Sequence, residues 1–208
     1  MTDPVATESV TPEPGDDDVT EVPARRRTGL VVSVVVAVLA IGFVAVLATR
    51  EPATDRRRDS PLIGKVAPPL AGRTLDGGSF DIDDQHGRWV VINFFATWCV
   101  PCWIEHPELD AFDRAHRPTG DAVLVSVLFD DDPASARDFF ADKGGEWPVV
   151  LDDDGLVASA FGIPKVPESY LVTPSGRVAV KFTGGVTRDG LDRAIDQIEQ
   201  AAAKAEAP

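Results

Sequence analysis

Length, charge and cysteine content exclude several classes of protein. The chain has 208 residues. After an apolar N-terminal segment about 150 residues remain, an ordinary length for one globular domain with a buried core. The net charge of −14, without a basic patch in the globular part, argues against a nucleic-acid-binding protein. The chain has 2 cysteines, too few for a framework of several disulfides or for a zinc site of four cysteines.

The N-terminal part predicts a tail, a membrane segment and a linker. Residues 1–28 are rich in Asp, Glu, Pro and Thr and have no helical or strand period, which is typical of a disordered tail. Residues 30–48 contain no charge, and as a helix they would span about 28 Å, close to the hydrocarbon thickness of a bilayer. We therefore predict a transmembrane anchor over 29–49, a charged linker over 50–61 and one globular domain over 62–205. A cleaved signal peptide is the alternative, although its apolar core is usually only about 7–15 residues long.

Beyond the linker, predicted strands alternate with predicted helices. Asp76-Gly77-Gly78, in the middle of residues 70–82, indicates an N-terminal β-hairpin. Continuous apolar runs predict buried strands, and apolar residues at helical spacing predict helices. The remaining elements are strand 89–96, helix 101–116, strand 122–129, helix 133–143, strand 148–151, helix 156–161, a hairpin of strands 169–173 and 178–182, and helix 187–204. This order predicts an α/β fold with a central sheet and helices on both faces.

The two cysteines lie where a predicted buried strand is followed by a helix. Unpaired N–H groups and the dipole at a helix N-terminus stabilise a thiolate, which is the species that attacks disulfides. Cys99 is nearest to the helix start and is the predicted nucleophile. Cys102 follows three positions later on the same face and is the predicted resolving cysteine. Pro101 suits the first helical turn because it has no N–H to leave unpaired. We predict a redox-active Cys99–Cys102 disulfide.

Other interpretations of this motif account for it less well. A purely structural disulfide across so short a loop would add little stability. A metal site built from Cys99, Cys102 and either His106 or His116 lacks a clear fourth ligand. Covalent haem attachment would require a histidine at the position of Trp103. The sequence therefore predicts neither a metal ion nor a cofactor.

Two runs of aspartate, 130–132 and 152–154, suggest calcium ligands at first sight. They lack the spacing of a calcium-binding loop and its distant glutamate. Aspartate is also common at helix N-caps and in turns, because its carboxylate accepts hydrogen bonds from nearby backbone N–H groups. We expect both runs to cap helices and form turns.

Several stretches of the chain resemble the TlpA/ResA/DsbE (CcmG) group of thioredoxin-like proteins. The resemblance covers about residues 62–203, nearly the whole predicted domain. The matching stretches are GKVAP at 64–68, NFFATWCVPCWIEHPEL at 93–109, WPVVLDDDG at 147–155, FGI at 161–163 and VPESYLVTPSGRV at 166–178. The resemblance implies a thioredoxin-like fold, in which a central mixed sheet is flanked by helices and carries an N-terminal β-hairpin and a central αβ insertion.

The resemblance also implies which residues meet a substrate. Pro167 matches the family's cis-proline, which lies opposite the cysteine pair. Val166, just before it, would offer backbone groups to an extended substrate segment. Glu168 follows the proline as in the DsbE-type branch, and its expected role is to recognise a partner or to tune the pair. Trp98 is expected to form a wall beside Cys99.

A further residue is implied to handle protons. Glu105 matches the family's acidic residue, three positions after Cys102. A half-buried carboxylate one helical turn away could exchange a proton with the resolving thiol. Asn93 and Phe95 also fit the family pattern and are interpreted as packing residues, and Pro107 as the structural proline of the helix.

The family implies work at the outer face of a bacterial cell membrane. Arginines flank both ends of the apolar segment, at 25–27 and 56–58, so charge alone does not give its orientation. The family's chemistry places the tail in the cytoplasm and the domain outside, on a single-pass anchor at 30–48. There it would keep the cysteines of apocytochrome c reduced for the haem-attachment machinery, with electrons from a membrane thiol donor of the CcdA/DsbD type.

Three other functions remain as alternatives. The first is a general reductant or oxidant of disulfides in exported proteins, since the sequence does not encode a reduction potential. The second is a peroxiredoxin-like peroxidase, but such an enzyme needs a threonine where this chain has Ala96. The third is a metal or haem chaperone without catalytic activity.

Overall fold

The computed structural model describes residues 25–48 and 55–206. The chain divides into two compact units, Met1–Arg50 and Glu51–Pro208. In the first unit, Arg25–Ala48 form helix α1, and its side chains at 31–43 are exposed. Within these described ranges no helix is both long enough and apolar enough to cross a membrane. The predicted tail up to residue 24, and residues 49–54 at the end of the predicted anchor and the start of the linker, lie outside the described residues.

A six-stranded mixed sheet forms the centre of the second unit. In chain order the elements are strands β1 (Arg57–Arg58), β2 (Ala71–Arg73), β3 (Ser79–Asp81) and β4 (Trp89–Phe95), helix α2 (Val100–His116), strand β5 (Ala122–Leu128), helix α3 (Pro133–Lys143), strand β6 (Val149–Leu151), helix α4 (Leu156–Phe161), strands β7 (Glu168–Val172) and β8 (Val178–Thr183), and helix α5 (Arg188–Glu206). The sheet order is β1-β8-β7-β4-β5-β6, and β2 and β3 pair separately as a hairpin. Strands β4, β5 and β6 are parallel, whereas β7, β8 and β1 are added antiparallel. The predicted α/β architecture with an N-terminal hairpin is confirmed.

Strand β4 is buried along its whole length and separates two layers of the core. Ile92 and Phe94 belong to the layer that also contains Phe161 of α4. Val91 belongs to the opposite layer, together with Phe112 of α2 and Leu191 of α5. Alternate residues of a strand point to opposite faces, so a strand covered on both sides is apolar at nearly every position. This explains why the continuous apolar run correctly predicted the central strand.

The two aspartate runs cap helices, as predicted. The Asp132 carboxylate accepts from the N–H groups of Ala134 and Ser135 at 3.1 Å each, at the start of α3. Asp152 accepts from the N–H groups of Val157 at 3.0 Å and Ala158 at 2.8 Å, in the first turn of α4. These carboxylates satisfy N–H groups that have no partner inside their own helix.

Two elements were not predicted from the sequence. Arg57–Arg58, inside the predicted linker, pair antiparallel with β8 at the edge of the sheet. Ile82–Gln85 form a 3-10 helix, where the Asp81 carboxylate accepts from the Asp83 N–H at 2.9 Å. Both side chains of β1 are exposed, so no apolar period marks this strand. Its pairing depends on a distant part of the chain that local patterns do not reveal.

A buried hydroxyl joins β7 to α4. Tyr170 is 1% exposed, and its hydroxyl donates to the Phe161 carbonyl at 2.7 Å, near the end of α4. The Lys181 ammonium lies 5.3 Å from the centre of the same ring. A buried carbonyl that loses its donor carries the full cost of its desolvation. The hydrogen bond should therefore contribute measurably to stability.

Replacing Tyr170 with phenylalanine tests this contribution. Tyr170→Phe keeps the ring and removes the donor to Phe161, and we expect the free energy of unfolding to fall by about 1–3 kcal/mol in urea denaturation. Ser60→Ala is the matched control, because both contacts of the Ser60 hydroxyl are long: 3.4 Å to the Tyr170 hydroxyl and 3.3 Å to the Leu62 N–H, from which it accepts. The control should change stability by less than about 0.5 kcal/mol. A Tyr170→Phe protein as stable as the wild type would show that the bond does not stabilise the fold.

Candidate active site

The cysteine pair lies at the start of α2, just beyond the C-terminal end of β4. Cys99 is the N-cap residue, with extended backbone angles of φ −87° and ψ 101°. Its sulfur accepts a hydrogen bond from the Cys102 N–H at 3.3 Å. The two sulfurs form a disulfide, with Cα atoms 5.3 Å apart. The structure thus contains the predicted disulfide at the predicted strand-to-helix junction.

The helix start favours an anionic sulfur at Cys99. N–H groups in the first turn have no partner within the helix, and the helix dipole adds positive potential at this end. When the disulfide is reduced, the Cys102 N–H therefore points at the sulfur that carries the negative charge. Cys99 is 4% exposed and Cys102 2%. This difference is small, so the choice of Cys99 as the nucleophile rests on its N-cap position and not on greater exposure.

Three hydrogen bonds hold the turn that precedes Cys99. The Thr97 N–H donates to the Asp131 carboxylate at 2.5 Å. The Thr97 carbonyl accepts from the Trp103 indole N–H at 2.6 Å, and the Trp98 indole N–H donates to the Asp130 carbonyl at 3.2 Å. The loop after β5 and the first turn of α2 thus fix the active-site turn. From the sequence, Asp130 and Asp131 were expected only to cap a helix or form a turn, and nothing in the local pattern connects them to residues 97 and 98.

Glu105 lies one turn after Cys102 on the buried side of α2, and both residues are 2% exposed. One carboxylate oxygen accepts from the Asn93 side-chain amide at 2.9 Å. The other accepts from the Val186 N–H at 3.0 Å. Burial raises the pKa of Glu105 to about 8, against the two hydrogen bonds, which lower it. Near neutral pH the carboxyl group therefore mostly keeps its proton. The sequence predicted half-burial, and the observed burial is nearly complete.

Asn93 has a polar role that the sequence did not predict. Besides Glu105, its amide donates to the Ser169 hydroxyl at 3.2 Å, and its carbonyl accepts from the Ser126 hydroxyl at 3.3 Å. The Ser126 hydroxyl in turn accepts from the Trp147 indole N–H at 2.8 Å. This network crosses the centre of the sheet and holds the Glu105 carboxylate in place. The interpretation of Asn93 as a packing residue is therefore incomplete.

The Val166–Pro167 peptide bond is cis, as the resemblance implies. Both residues precede β7, whose first residue, Glu168, pairs with Phe94 near the end of β4. Val166 also packs against the apolar cluster that contains Cys99 and Cys102. The structure thus brings this segment to the same end of the sheet as the cysteine pair.

Glu168 is buried and forms an internal ion pair. It is 3% exposed, and its carboxylate lies 2.8 Å from the Lys181 ammonium. The Thr183 hydroxyl donates to its other oxygen at 3.5 Å. Burial of Lys181 works against its charged form, but the bonds to Glu168 and Tyr170 prevail and raise the pKa of Lys181. In this structure the Glu168 carboxylate therefore bonds with β8 and is not presented at the surface.

Both histidines of the alternative metal site have other partners. The His106 Nε2 atom lies 2.9 Å from the Gly144 carbonyl. The two ring nitrogens of His116 lie 3.0 Å from Asp121 and 3.0 Å from Asp192. Over the described ranges 25–48 and 55–206, no group of three or more His, Cys, Asp or Glu side chains is placed to hold a metal ion.

Comparison with known proteins agrees with this geometry. The Redoxin family model matches residues 62–198. The thiol-disulfide oxidoreductase ResA of Bacillus subtilis (strain 168) is 29% identical over 161 residues, which cover 77% of this chain and 85% of that protein. ResA of Bacillus thuringiensis (strain Al Hakam) is 26% identical over 136 residues, covering 65% of this chain and 78% of the relative.

A solved structure shows the same similarity. The thioredoxin domain of a thiol-disulfide oxidoreductase from Bacteroides vulgatus superposes with a TM-score of 0.59 and 27% sequence identity, over 67% of this chain and 99% of that one. The family model covers well over half of the chain. The protein therefore belongs to the Redoxin family, and within it is a thiol–disulfide oxidoreductase of the ResA/DsbE type with a thioredoxin-like fold.

Proposed function

We propose that this protein is a membrane-anchored reductant that keeps the cysteines of apocytochrome c reduced before haem is attached. The observation that carries the proposal is the position of Cys99 at the N-cap of α2, with Cys102 as its disulfide partner. The likeness to the thiol-disulfide oxidoreductase ResA supports the chemistry, and the resemblance to the TlpA/ResA/DsbE group implies the substrate class. The substrate would be apocytochrome c itself or a component of the haem-attachment machinery.

The proposed location follows from the sequence and the chemistry together. The charge-free segment 30–48 supports a single-pass anchor in the bacterial cell membrane. We place the catalytic domain on the extracytoplasmic side, where substrate cysteines become oxidised and need a reductant. Electrons would come from a membrane thiol donor of the CcdA/DsbD type. An anchor would also keep the domain at high local concentration near such partners.

The reaction transfers two electrons from the protein to a substrate disulfide. Cys99 attacks as a thiolate, forms a bond to one substrate sulfur, and releases the other substrate sulfur as a thiolate that takes up a proton. Cys102 then loses its proton and attacks the sulfur of Cys99. The mixed disulfide breaks, the second substrate thiolate leaves, and the Cys99–Cys102 bond forms. The membrane donor reduces this bond again.

Glu105 is proposed to exchange the proton of Cys102. It lies one turn away on the same buried side of α2, and its raised pKa of about 8 places its proton exchange near physiological pH. The ionised carboxylate would accept the proton as Cys102 attacks Cys99. The protonated carboxyl would return a proton when the donor reduces the disulfide. A general acid or base works best when its pKa is close to the operating pH.

The first prediction from this mechanism concerns the pH dependence of resolution. The ionised fraction of Glu105 grows as the pH rises through about 8, so the rate at which Cys102 resolves the mixed disulfide should rise from pH 6 to pH 9. Glu105→Gln should slow this step about 100-fold and remove the rise centred near pH 8. Stopped-flow tryptophan fluorescence after mixing reduced protein with a model disulfide measures the step.

Glu108→Gln is the matched control, since Glu108 lies on the same helix and accepts from the Arg188 N–H at 3.0 Å, a bond that glutamine can also accept. This variant should keep the wild-type pH profile. A Glu105→Gln protein with the wild-type profile would remove Glu105 from the proton transfer.

The second prediction concerns the natural substrate. In Cys102→Ser the resolving sulfur is absent, so Cys99 should stay bonded to its substrate. Purified under alkylating conditions from a bacterium that makes c-type cytochromes, the trapped adduct should contain apocytochrome c or a haem-attachment protein, as identified by mass spectrometry. Cys99→Ser should trap neither. Adducts with many unrelated exported proteins would instead support a general disulfide reductant or oxidant.

A further inference from the structure

Asp55, in the segment before β1, binds to a loop that is distant in the sequence. Its backbone N–H donates to the Gly185 carbonyl at 2.9 Å. Its carboxylate accepts from the Thr187 N–H at 2.8 Å and from the Thr187 hydroxyl at 2.7 Å. Asp55 therefore holds both chain neighbours of Val186, the residue before it and the residue after it.

The backbone of Asp55 is fixed in an uncommon conformation. Its φ of 57° lies in the left-handed region, which few residues other than glycine adopt, although aspartate does so more readily than most. A residue stays in such a conformation only where its surroundings hold it there. Next along the chain, the Arg56 carbonyl accepts from the Thr183 N–H at 2.9 Å, and β1 then pairs with β8. This segment is thus bound both to β8 and to the loop that follows it.

The loop that Asp55 holds, residues 184–187, supplies one of the two donors to Glu105. The Val186 N–H donates to the Glu105 carboxylate at 3.0 Å. The loop also approaches Glu105 closely, since a Cβ atom added at Gly185 would lie 3.6 Å from the Glu105 Cβ. Residues 184–187 belong to no helix or strand, so contacts with other elements must hold the N–H in place. The Val186 side chain, which is 1% exposed, gives one such contact, and Asp55 gives the others.

A glycine in α5 leaves the space that the Asp55 carboxylate occupies. Gly190 is the third residue of α5, and its N–H donates to the Thr187 hydroxyl at 3.0 Å. A Cβ atom added at Gly190 would collide with the Asp55 carboxylate. Glycine is unfavourable within a helix relative to alanine. The missing side chain at this position therefore has a use, because it lets the carboxylate reach Thr187.

We propose that Asp55 is a positioning residue for the active site: it holds loop 184–187 so that the Val186 N–H points at the Glu105 carboxylate. This inference rests on the proposed function, because it concerns the support of the group proposed to exchange protons. Asp55 acts through Gly185 and Thr187, and its own carboxylate takes no part in the reaction. The segment before β1 is thereby a working part of the catalytic domain as well as a connection to the N-terminal part of the chain.

Loss of this support changes the acidity of Glu105 in a defined direction. Burial raises the pKa of Glu105, and the bonds from Asn93 and Val186 lower it. When the Val186 N–H turns away, burial is less opposed, so the pKa rises above its value of about 8. Removing the negative charge of Asp55 acts in the opposite direction, because one carboxylate disfavours the ionisation of another. A rise therefore identifies positioning, and a fall identifies a purely electrostatic effect.

Other titratable or charged groups lie on the elements packed around Glu105, and the variants below leave them in place. They are Cys102 and Glu108 on α2, the Glu168–Lys181 ion pair of β7 and β8, and Arg188 at the start of α5, whose N–H bonds to Glu108.

Titration of Glu105 in the disulfide form tests the proposal, since the cysteines then do not titrate. In the full chain in neutral detergent, with ¹³C at the glutamate carboxyl groups, the NMR signal of Glu105 is identified by its absence in Glu105→Gln. Asp55→Gly removes the carboxylate and keeps the backbone N–H, and glycine adopts the positive φ without strain. This variant should raise the midpoint of the Glu105 titration by about 0.5–1 pH unit. A midpoint that stays or falls would overturn the proposal.

Two further variants of the segment serve as rescue and control. Asp55→Asn is the conservative change, because the amide oxygen can still accept from the Thr187 N–H and asparagine tolerates a positive φ. Its midpoint should lie within about 0.3 pH unit of that of the wild type. Asp59→Gly is the matched control, since Asp59 is exposed and follows β1 in the same segment. A rise in Asp59→Gly as large as in Asp55→Gly would refute a specific role of Asp55.

Gly190→Ala displaces the Asp55 carboxylate without changing residue 55. The added Cβ occupies its place, so the Glu105 midpoint should rise as in Asp55→Gly. The double variant Asp55→Gly with Gly190→Ala should show no further rise, because both changes remove the same contact. Asp196→Ala, at an exposed position of α5, controls for the higher helix propensity of alanine and should leave the midpoint unchanged. A wild-type midpoint in Gly190→Ala would contradict the proposal.

The kinetics of resolution separate this inference from the proposed function. In Asp55→Gly the rise of the resolution rate with pH should move upward with the Glu105 midpoint, so the rate at pH 7 should fall about 3–10-fold. If the midpoint moves but the rate profile does not, the proposed proton exchange by Glu105 fails and the positioning by Asp55 stands. If the midpoint does not move, the positioning fails and the proposed function is unaffected.

Discussion

The chemistry of this protein depends on one hydrogen bond, from the Cys102 N–H to the sulfur of Cys99. That bond exists because Cys99 occupies the N-cap of α2, where N–H groups have no helical partner. The position of the N-cap depends in turn on β4, which is buried along its whole length and ends shortly before Cys99. Helix α2 is held there by packing of Phe112 against the sheet. The packed core thus holds the Cys99 sulfur at the N-terminal end of α2.

The second constraint is the burial of the Glu105 carboxyl group, one helical turn after Cys102. A buried carboxylate is costly unless it is hydrogen-bonded, and Glu105 has two donors, the Asn93 amide and the Val186 N–H. These bonds hold the group in place but do not cancel the effect of burial, so its pKa rises to about 8. Asn93 belongs to the central strand and Val186 to the loop before α5. Glu105, the proposed proton-exchanging group, is thus positioned by distant parts of the fold, and the N-cap of α2 alone does not define the site.

Sequence patterns predicted the elements of the domain well because its central strands and long helices have strong apolar periodicity. The apolar run before Cys99 and Pro101 just after it located the active-site junction correctly. Strand β1 was missed because both of its side chains are exposed. The bond between Thr97 and Asp131 was missed for another reason: periodicity shows which face a side chain occupies, but not which distant residue it meets. For the same reason, the hydrogen bond from the Asn93 amide to Glu105 could not be predicted from the sequence.

The most direct test of the central constraint is the alkylation rate of each cysteine in the reduced full chain. With iodoacetamide at pH 7, quantified by peptide mass spectrometry, Cys99 should be modified many times faster than Cys102, because thiolates react and thiols do not. Cys99 should also react faster than a cysteine in an unstructured peptide at the same pH. If Cys102 were modified first, or if Cys99 reacted no faster than the peptide cysteine, the helix N-terminus would not be activating Cys99.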